Sequence, residues 1–469
     1  MPGSSEADEP ANHPTEAPEG PLSRAETLSR LAFALLALAL LALYGWVAFG
    51  LPGDANVLPH SSGIYDMDVK RVMVDLTTAQ PGHRVSAHPL QKLLLAPWGQ
   101  ALARLSGDPL SAAKTLALLA TWLGALAAGV LARGLSDGAW PPALATTALT
   151  GSSFAYLLAA GIPESATFAG LATLVPLLFW LARRGGALAA GEALAWGALA
   201  ALAFGLTFTQ IAGVAIAFAA RLWDRRNGGM SSRALWRHAG IALLSAATLA
   251  VALAEVQAHL YAGTPRFWTR SPVAAEKSFV RSAAIQGMPV AHTGRLLLHF
   301  GVIDFVAPMP VLSDFLMRDH GIPTWSLSVE EAGWEGWRPA QRGLAAALVA
   351  AIAAALAIGR WRNPRLLVPA LCLAFHFALH WLYGREYVIY APHWHGLLIA
   401  TLLAGVWNGG RMRRGVAIAS GLLAIALLAN NLVVLRASYA EVAWGLGTGR
   451  RDLRGDRVHP ASEPGPYSR

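Results

Sequence analysis

The sequence predicts an all-α protein: a polytopic transmembrane bundle of about 11 helices, with amphipathic juxtamembrane helices in the first outer loop. Of its 469 residues, 55% are hydrophobic and only 14% are charged, and the mean hydropathy is +0.43. A water-soluble domain carries about 25% charged residues. A deficit of charge spread over so long a chain is typical of a protein that crosses the membrane many times.

The chain opens with a segment of different composition. Residues 1–27 are rich in Pro, Glu, Ala and Ser and have no apolar periodicity, which predicts a disordered cytoplasmic tail. Residues 31–51 then carry no charge and follow Arg24 and Arg30. The run is too long for a signal peptide and no small-residue cleavage site follows it, so we expect a retained anchor with its N-terminus in the cytoplasm.

Ten further apolar runs complete the predicted bundle, which we assign to a transmembrane domain over residues 28–436. They cover about 110–132, 141–158, 166–182, 187–205, 207–222, 239–261, 343–359, 366–383, 393–409 and 415–435. Several fall short of the usual ~20 residues, so their boundaries are soft. This leaves two long outer loops, 52–109 and 262–342, and a C-terminal tail over 437–469.

The distribution of basic residues predicts which ends face the cytoplasm. Arginines fill the inner loops near 133–140, 183–186, 221–238, 360–365 and 411–414. The short outer loops near 159–165, 206–210 and 384–392 hold only Arg385. This asymmetry predicts a multi-pass membrane protein, surrounded by membrane lipids, with its site on the outer face, toward the periplasm or its equivalent. The net charge of +9 is therefore an orientation signal, and nucleic acid is excluded as a partner.

Two sequence features limit the options further. The single cysteine, Cys372, excludes an internal disulfide and a cysteine-based zinc site. The apolar stretch 296–312 is interrupted by His299, Asp304, Pro308 and Pro310. If it spanned the membrane, every later basic loop would face outward, so an interfacial or re-entrant segment is preferred over a span.

The first outer loop carries the first candidate site residues, Asp66 and Asp68. Val69, Val72, Met73 and Leu76 follow at helical spacing and predict an amphipathic helix on the membrane. A carboxylate at the N-terminus of that helix stays ionised and accepts a proton or holds a cation, or it merely caps the helix. His88-Pro89 then predicts the start of a second interfacial helix; His88 either contacts a phosphate or sugar hydroxyl or faces the lipid headgroups.

Two short outer loops supply the other candidates. Glu164 is the only charge in its loop and lies next to the membrane surface, where it serves either a ligand or the cap of the next helix. In the last loop, Arg385 suits bidentate binding of phosphate, or else pairs with Glu386 beside an ordinary aromatic belt. His393 and His395, two residues apart, cannot share one helix face, so this pair alone does not predict a metal site.

Together these motifs resemble the GT-C superfamily of integral-membrane glycosyltransferases, which take sugars from polyprenyl-phosphate or polyprenyl-diphosphate donors. The layout is similar over residues 30–225: a first span, Tyr65-Asp66-Met67-Asp68, two surface helices, His88-Pro89-Leu90 and Pro163-Glu164-Ser165. The segment from Tyr383 to Trp394 looks like one in bacterial multi-span proteins of this type, so the resemblance implies a bacterial inner membrane with a periplasmic active site. The chain lacks the Trp-Trp-Asp signature of oligosaccharyltransferases, which argues against transfer to asparagine.

The resemblance implies an inverting transfer from a polyprenyl-phosphate-linked sugar to a lipid or glycan acceptor. Asp66 or Asp68 would act as general base, and Glu164 would orient the acceptor or help to hold a cation. The substrate-binding candidates are Lys70, Arg71, His88, Arg385, Tyr387 and His393. The resemblance establishes no cofactor with certainty; paired carboxylates and phosphate suit a divalent cation, Mg or Mn, which Asp66 and Asp68 would hold.

Two other functions remain open at the level of sequence. A transporter or flippase for a lipid-linked envelope precursor would need paired halves, broken helices or buried charge; no internal repeat is visible, and only Glu255 comes near the interior of a span. A non-catalytic membrane assembly protein is compatible with alanine-rich helices, which pack closely against one another.

Overall fold

A computed structural model describes residues 23–51, 67, 69–269, 289–309, 311–313, 326–328, 336–383, 387–408 and 413–447. Helices make up about four fifths of these residues. The helices are α1 (Arg24–Gly50), α2 (Val69–Thr77), α3 (Gln91–Ser106), α4 (Pro109–Leu135), α5 (Trp140–Ser152), α6 (Phe154–Gly161), α7 (Ser165–Arg183), α8 (Ala190–Leu206), α9 (Ile211–Asn227), α10 (Ser232–Leu260), α11 (Pro289–Leu298), α12 (Pro339–Ile358), α13 (Pro364–Leu382), α14 (Tyr387–Tyr390), α15 (His395–Asn408) and α16 (Arg413–Gly447). Two three-residue strands, Val311–Ser313 and Ser326–Ser328, form an antiparallel ribbon.

The predicted all-α membrane bundle is confirmed, with a smaller number of full-length spans than eleven. Within the described residues, seven helices are long and apolar enough to cross a membrane, and up to nine if each of two bent helix pairs is one span. The predicted runs 187–205 and 207–222 do form helices, α8 and α9, but each is only 17 residues long. The apolar runs therefore identified the helices correctly. Some of these helices are too short to count as full-length spans, so the number of spans is smaller than eleven.

The two helices predicted in the first outer loop are present as α2 and α3. Val69, Val72 and Leu76 are buried along one face of α2, as the spacing predicts. This face packs on α4 and α7, so the protein rather than the membrane covers it. On α3, Trp98 and Leu105 remain 66% and 84% exposed, which suits a helix with one side against lipid.

One bent pair, α5 and α6, breaks at Ser153 with an angle of 61°. The carbonyls of Asp304 and Phe305 accept hydrogen bonds from the N–H groups of Ala155 (3.0 Å) and Phe154 (3.3 Å). Asn431 of α16 donates to the carbonyls of Phe305 (2.6 Å) and Ser152 (3.0 Å). Backbone groups freed by a break inside an apolar bundle need such partners, which explains why the break is stable.

The segment that satisfies this break is the interrupted apolar stretch near residue 300. It is a 10-residue helix, α11, followed by five residues of π-helix, His299–Ile303, and then by irregular backbone. It is not among the helices long enough to span, which agrees with the preference for a re-entrant or interfacial segment. At the chain ends, α1 begins at Arg24, inside the predicted tail, and α16 continues to Gly447, beyond the predicted boundary at 436.

Candidate functional site

Several loops converge at one end of the bundle, which holds residues 161–165, 206–210 and 387–393; we call it the outer end, after its predicted side. The first outer loop is fixed there by backbone hydrogen bonds from Leu90 N–H to Gly205 O (2.8 Å) and from Phe208 N–H to Ala87 O (3.0 Å). A side chain at Gly205 would meet Leu90 at 2.7 Å, so glycine allows this close approach. Gln257 of α10 adds hydrogen bonds to Pro89 O and Leu93 N–H, both 2.9 Å long.

A buried carboxylate, Glu164, lies at the centre of the outer end. It caps the N-terminus of α7: Oε1 accepts hydrogen bonds from Ser165 N–H (2.7 Å) and Ser165 Oγ (2.6 Å). Arg71 of α2 places Nη2 4.0 Å from the same Oε1 and Nη1 3.7 Å from Asp75. Asp75 in turn accepts from His83 Nδ1 at 2.7 Å. The outer end thus combines two buried carboxylates with one arginine between them.

His88 lies beside this group and is buried, so it does not face the headgroups. Its Nδ1 is 2.9 Å from Leu206 O; because a carbonyl only accepts, Nδ1 carries the proton and Nε2 keeps its lone pair. Arg84 of the same loop donates to Tyr383 Oη at 3.1 Å, which connects the loop to the end of α13. Burial, with the nearby charges of Arg84 and Arg71, lowers the pKa of His88 from 6.5 to about 3.

This lowered pKa predicts a loss of stability in mild acid. Between about pH 6.5 and 3, the unfolded chain binds a proton on His88 that the folded chain does not bind, so stability is complete above pH 6.5 and falls as the pH decreases. From pH 6.5 to 5 the loss is about 2 kcal/mol. We expect H88Q to remove this part of the pH dependence, measured as unfolding free energy in mixed micelles at both pH values. H259Q, at an exposed histidine, is the control; an equal pH dependence in wild type and H88Q would contradict the assignment.

The last outer turn, Ala391–His393, packs against α7 at a glycine. A Cβ on Gly170 would lie 2.7 Å from Pro392 O, so only glycine permits this contact. The turn brings His393 to His376 and His380 of α13, with ring centroids 5.7 and 5.5 Å away. Three histidines from α13 and this turn therefore meet inside the bundle.

The predicted site residues have different outcomes. Glu164, Arg71 and His88 lie together at the outer end, and His393 lies in the turn that packs on α7. Lys70 is exposed on α2. Tyr387 is fully buried beside the rings of His292 (Oη to Nδ1, 3.3 Å) and His299, and its predicted role in substrate binding stays a prediction. Asp66, Asp68 and Arg385 lie outside the described residues, so their roles and the proposed Mg or Mn site stay predictions.

Sequence analysis missed several residues at this end. Asp75 lies on α2 and Arg84 in the loop after it, and the sequence analysis selected other charged residues of this outer loop instead. His376 and His380 lie within a run interpreted only as a span, although two histidines four apart on a helix share one face and are a recognisable signal. His395 turns away from His393 toward Tyr156 and Phe305, as two-residue spacing requires.

The opposite end of the bundle carries a separate open cavity of about 310 Å³. Glu26, Arg133 and Trp140 are among the residues that line it, and the Arg133 guanidinium lies over the Trp140 ring at 4.2 Å. Its place at the arginine-rich end separates it from the polar group around Glu164.

Comparison of the chain with protein-family models and with curated proteins yields no match. What the fold and site define is therefore a class: a polytopic α-helical membrane protein with a buried polar group at one end of its bundle.

Proposed function

We propose that this protein is a membrane glycosyltransferase that moves a sugar from a polyprenyl-phosphate donor to an acceptor at the outer face of the membrane. The observation that carries the proposal is the Glu164–Arg71 contact, a buried carboxylate 4.0 Å from a guanidinium on the juxtamembrane helix α2. It joins an acidic group to a cationic group at the end of the bundle, where a lipid-linked phosphate would arrive from the bilayer.

The cationic residues around this contact suit a phosphate. The positive charges of Arg71 and Arg84 both lower the pKa of His88, so the two guanidinium groups lie in its vicinity. Lys70, one residue before Arg71, is exposed. Guanidinium groups bind phosphate through two parallel hydrogen bonds, and stabilise the charge that develops on a leaving phosphate. We assign Arg71 and Arg84 to the donor phosphate, with Arg385 as a further candidate.

The proposed reaction is a single displacement. The acceptor hydroxyl oxygen attacks the anomeric carbon, the bond from that carbon to the phosphate oxygen breaks, and polyprenyl phosphate leaves. The hydroxyl proton passes to a carboxylate, for which Asp66 and Asp68 are the candidates; their neighbours Met67 and Val69 are buried in the core. Glu164 orients the acceptor. No step of this scheme passes through a metal.

The test is incubation of the purified full-length chain with a panel of polyprenyl-phosphate sugars and a mixture of lipid and glycan acceptors. We expect one donor to release polyprenyl phosphate together with a glycosylated acceptor. We expect D66N or D68N to abolish that release while membrane insertion is unchanged. Full activity in D66N, D68N and E164Q alike would end the catalytic assignment.

A transporter or flippase remains the alternative, because two bent helix pairs and a buried ion pair between Arg221 and Glu192 are present. Against it, the break at Ser153 is filled by protein: Asp304, Phe305 and Asn431 bond the freed backbone groups. Proteoliposomes loaded with a fluorescent lipid-linked sugar distinguish the two functions. A flippase moves the labelled lipid to the other leaflet, whereas a glycosyltransferase changes the covalent structure of the lipid.

A further inference from the structure

We propose that His376, His380 and His393 form a binding site for a divalent transition-metal ion of the zinc class. This proposal is independent of the glycosyltransferase proposal, since its test measures metal binding and not activity. It concerns residues other than the carboxylates to which a Mg or Mn ion would bind.

The first argument is geometric. His376 and His380 are four residues apart on α13, and their rings lie nearly parallel, with an interplanar angle of 11°. His393 approaches them from the turn that precedes α15. One ring nitrogen from each of the three residues lies within 4.8 Å of the other two. In a tetrahedral zinc site the ligand nitrogens are about 3.4 Å apart, so metal binding requires the three rings to move closer together than they are here.

The second argument concerns hydrogen bonding. His393 is 3% exposed, and neither of its ring nitrogens has a hydrogen-bond partner within the described part of the chain. His376 is 1% exposed; its Nδ1 has no partner there, and its Nε2 has only a long contact of 3.5 Å to Thr173 Oγ1. Buried polar groups are normally hydrogen-bonded, because an unsatisfied one keeps the cost of losing water. A bound metal ion would take the lone pair of one ring nitrogen of each histidine.

The third argument is the chemistry of the ligand set. Three imidazoles suit Zn, Cu, Ni or Fe, whereas Mg and Mn prefer oxygen ligands. Three protein ligands also leave a fourth coordination position, which water fills in zinc sites of this kind. Thr173 Oγ1 lies 3.5 Å from His376 Nε2 and donates a hydrogen bond to Gln210 Oε1 at 2.7 Å, so the histidine group has polar neighbours on α7 and in the turn before α9.

The test uses the full-length protein in detergent micelles, with any affinity tag removed. After treatment with a chelator and reloading with Zn²⁺, we expect one metal ion per chain by elemental analysis. Substitution by Co²⁺ should give the visible absorption of a four-coordinate site with nitrogen ligands. This absorption arises only when the side chains bind the ion directly, and the wild-type protein suffices for the experiment.

Variants then locate the site. H393Q and H376Q should each weaken Zn²⁺ affinity at least ~10-fold, because even outer partners of metal ligands change affinity by 10–100-fold. The matched control is H395Q, at a histidine that is equally buried, has no hydrogen-bond partner on either ring nitrogen among the described residues, and contacts Tyr156 instead. It should bind Zn²⁺ as the wild type does. Absence of metal from Zn²⁺-loaded wild type, or equal affinity in H393Q and wild type, would overturn the proposal.

Discussion

E164Q should lower kcat/KM for sugar transfer by about 100-fold or more, while the protein stays folded in the membrane. Glutamine keeps the shape of the side chain, and its amide oxygen can accept the capping hydrogen bond from Ser165 N–H, which is 2.7 Å long in the wild type. The negative charge facing Arg71 is lost, and with it the ability to orient an acceptor hydroxyl by a charge-assisted hydrogen bond. The measurement is the rate of polyprenyl-phosphate release with the donor saturating and the acceptor limiting, which gives kcat/KM for the acceptor.

The matched control for this variant is E255Q. Glu255 lies at the outer end of α10 and forms a bidentate pair with Arg266, both contacts 2.7 Å long, but the two side chains are about half exposed. Exposed ion pairs contribute little, so E255Q should keep its activity within about twofold of wild type. A wild-type value of kcat/KM in E164Q, or an equal decrease in E255Q, would contradict a role of Glu164 in the proposed site.

R221A should cost about 3–5 kcal/mol of unfolding free energy, the largest effect on stability that we expect. The side chain of Arg221 is fully buried, and its guanidinium contacts Glu192 through Nε to Oε1 (2.8 Å) and Nη2 to Oε2 (3.2 Å). It also donates to the carbonyls of Arg184 (3.0 Å) and Gly186 (2.7 Å). Its removal leaves a buried carboxylate and two carbonyls without these donors.

Arg225, one turn further along α9, provides the comparison. Within the part of the chain that the structure describes, its guanidinium donates one long hydrogen bond of 3.3 Å to Gly186 O, so R225A should change stability by less than about 1 kcal/mol. In E192Q/R221A the orphaned charge is absent, and we expect the double variant to be more stable than the sum of the two single effects predicts. Denaturation in mixed micelles is measured for five proteins: wild type, R221A, E192Q, E192Q/R221A and R225A. Similar losses in R221A and R225A would show that burial of this pair is unimportant.

Arg221 also illustrates the limit of sequence analysis. The chain pattern assigned it to a basic inner loop, on the same footing as its neighbours Arg225 and Arg226. A count of charges along the chain cannot distinguish a solvated arginine from one whose acidic partner is 29 residues away. The same holds for Glu164, where capping and ligand binding were alternatives: the structure shows the cap, and adds the contact with Arg71 that the sequence could not indicate.

The sequence by itself determined the all-α membrane fold, the position of each long apolar helix and the two helices of the first outer loop. These depend on local hydrophobicity and helical periodicity, which are properties of neighbouring residues. Only the tertiary structure decided how many helices are long enough to span, how Asn431 and Asp304 close a broken helix, and which histidines meet. His376 and His393 come together because α13 and the turn before α15 pack side by side. Contacts between residues far apart in the chain arise from packing, and no local pattern encodes them.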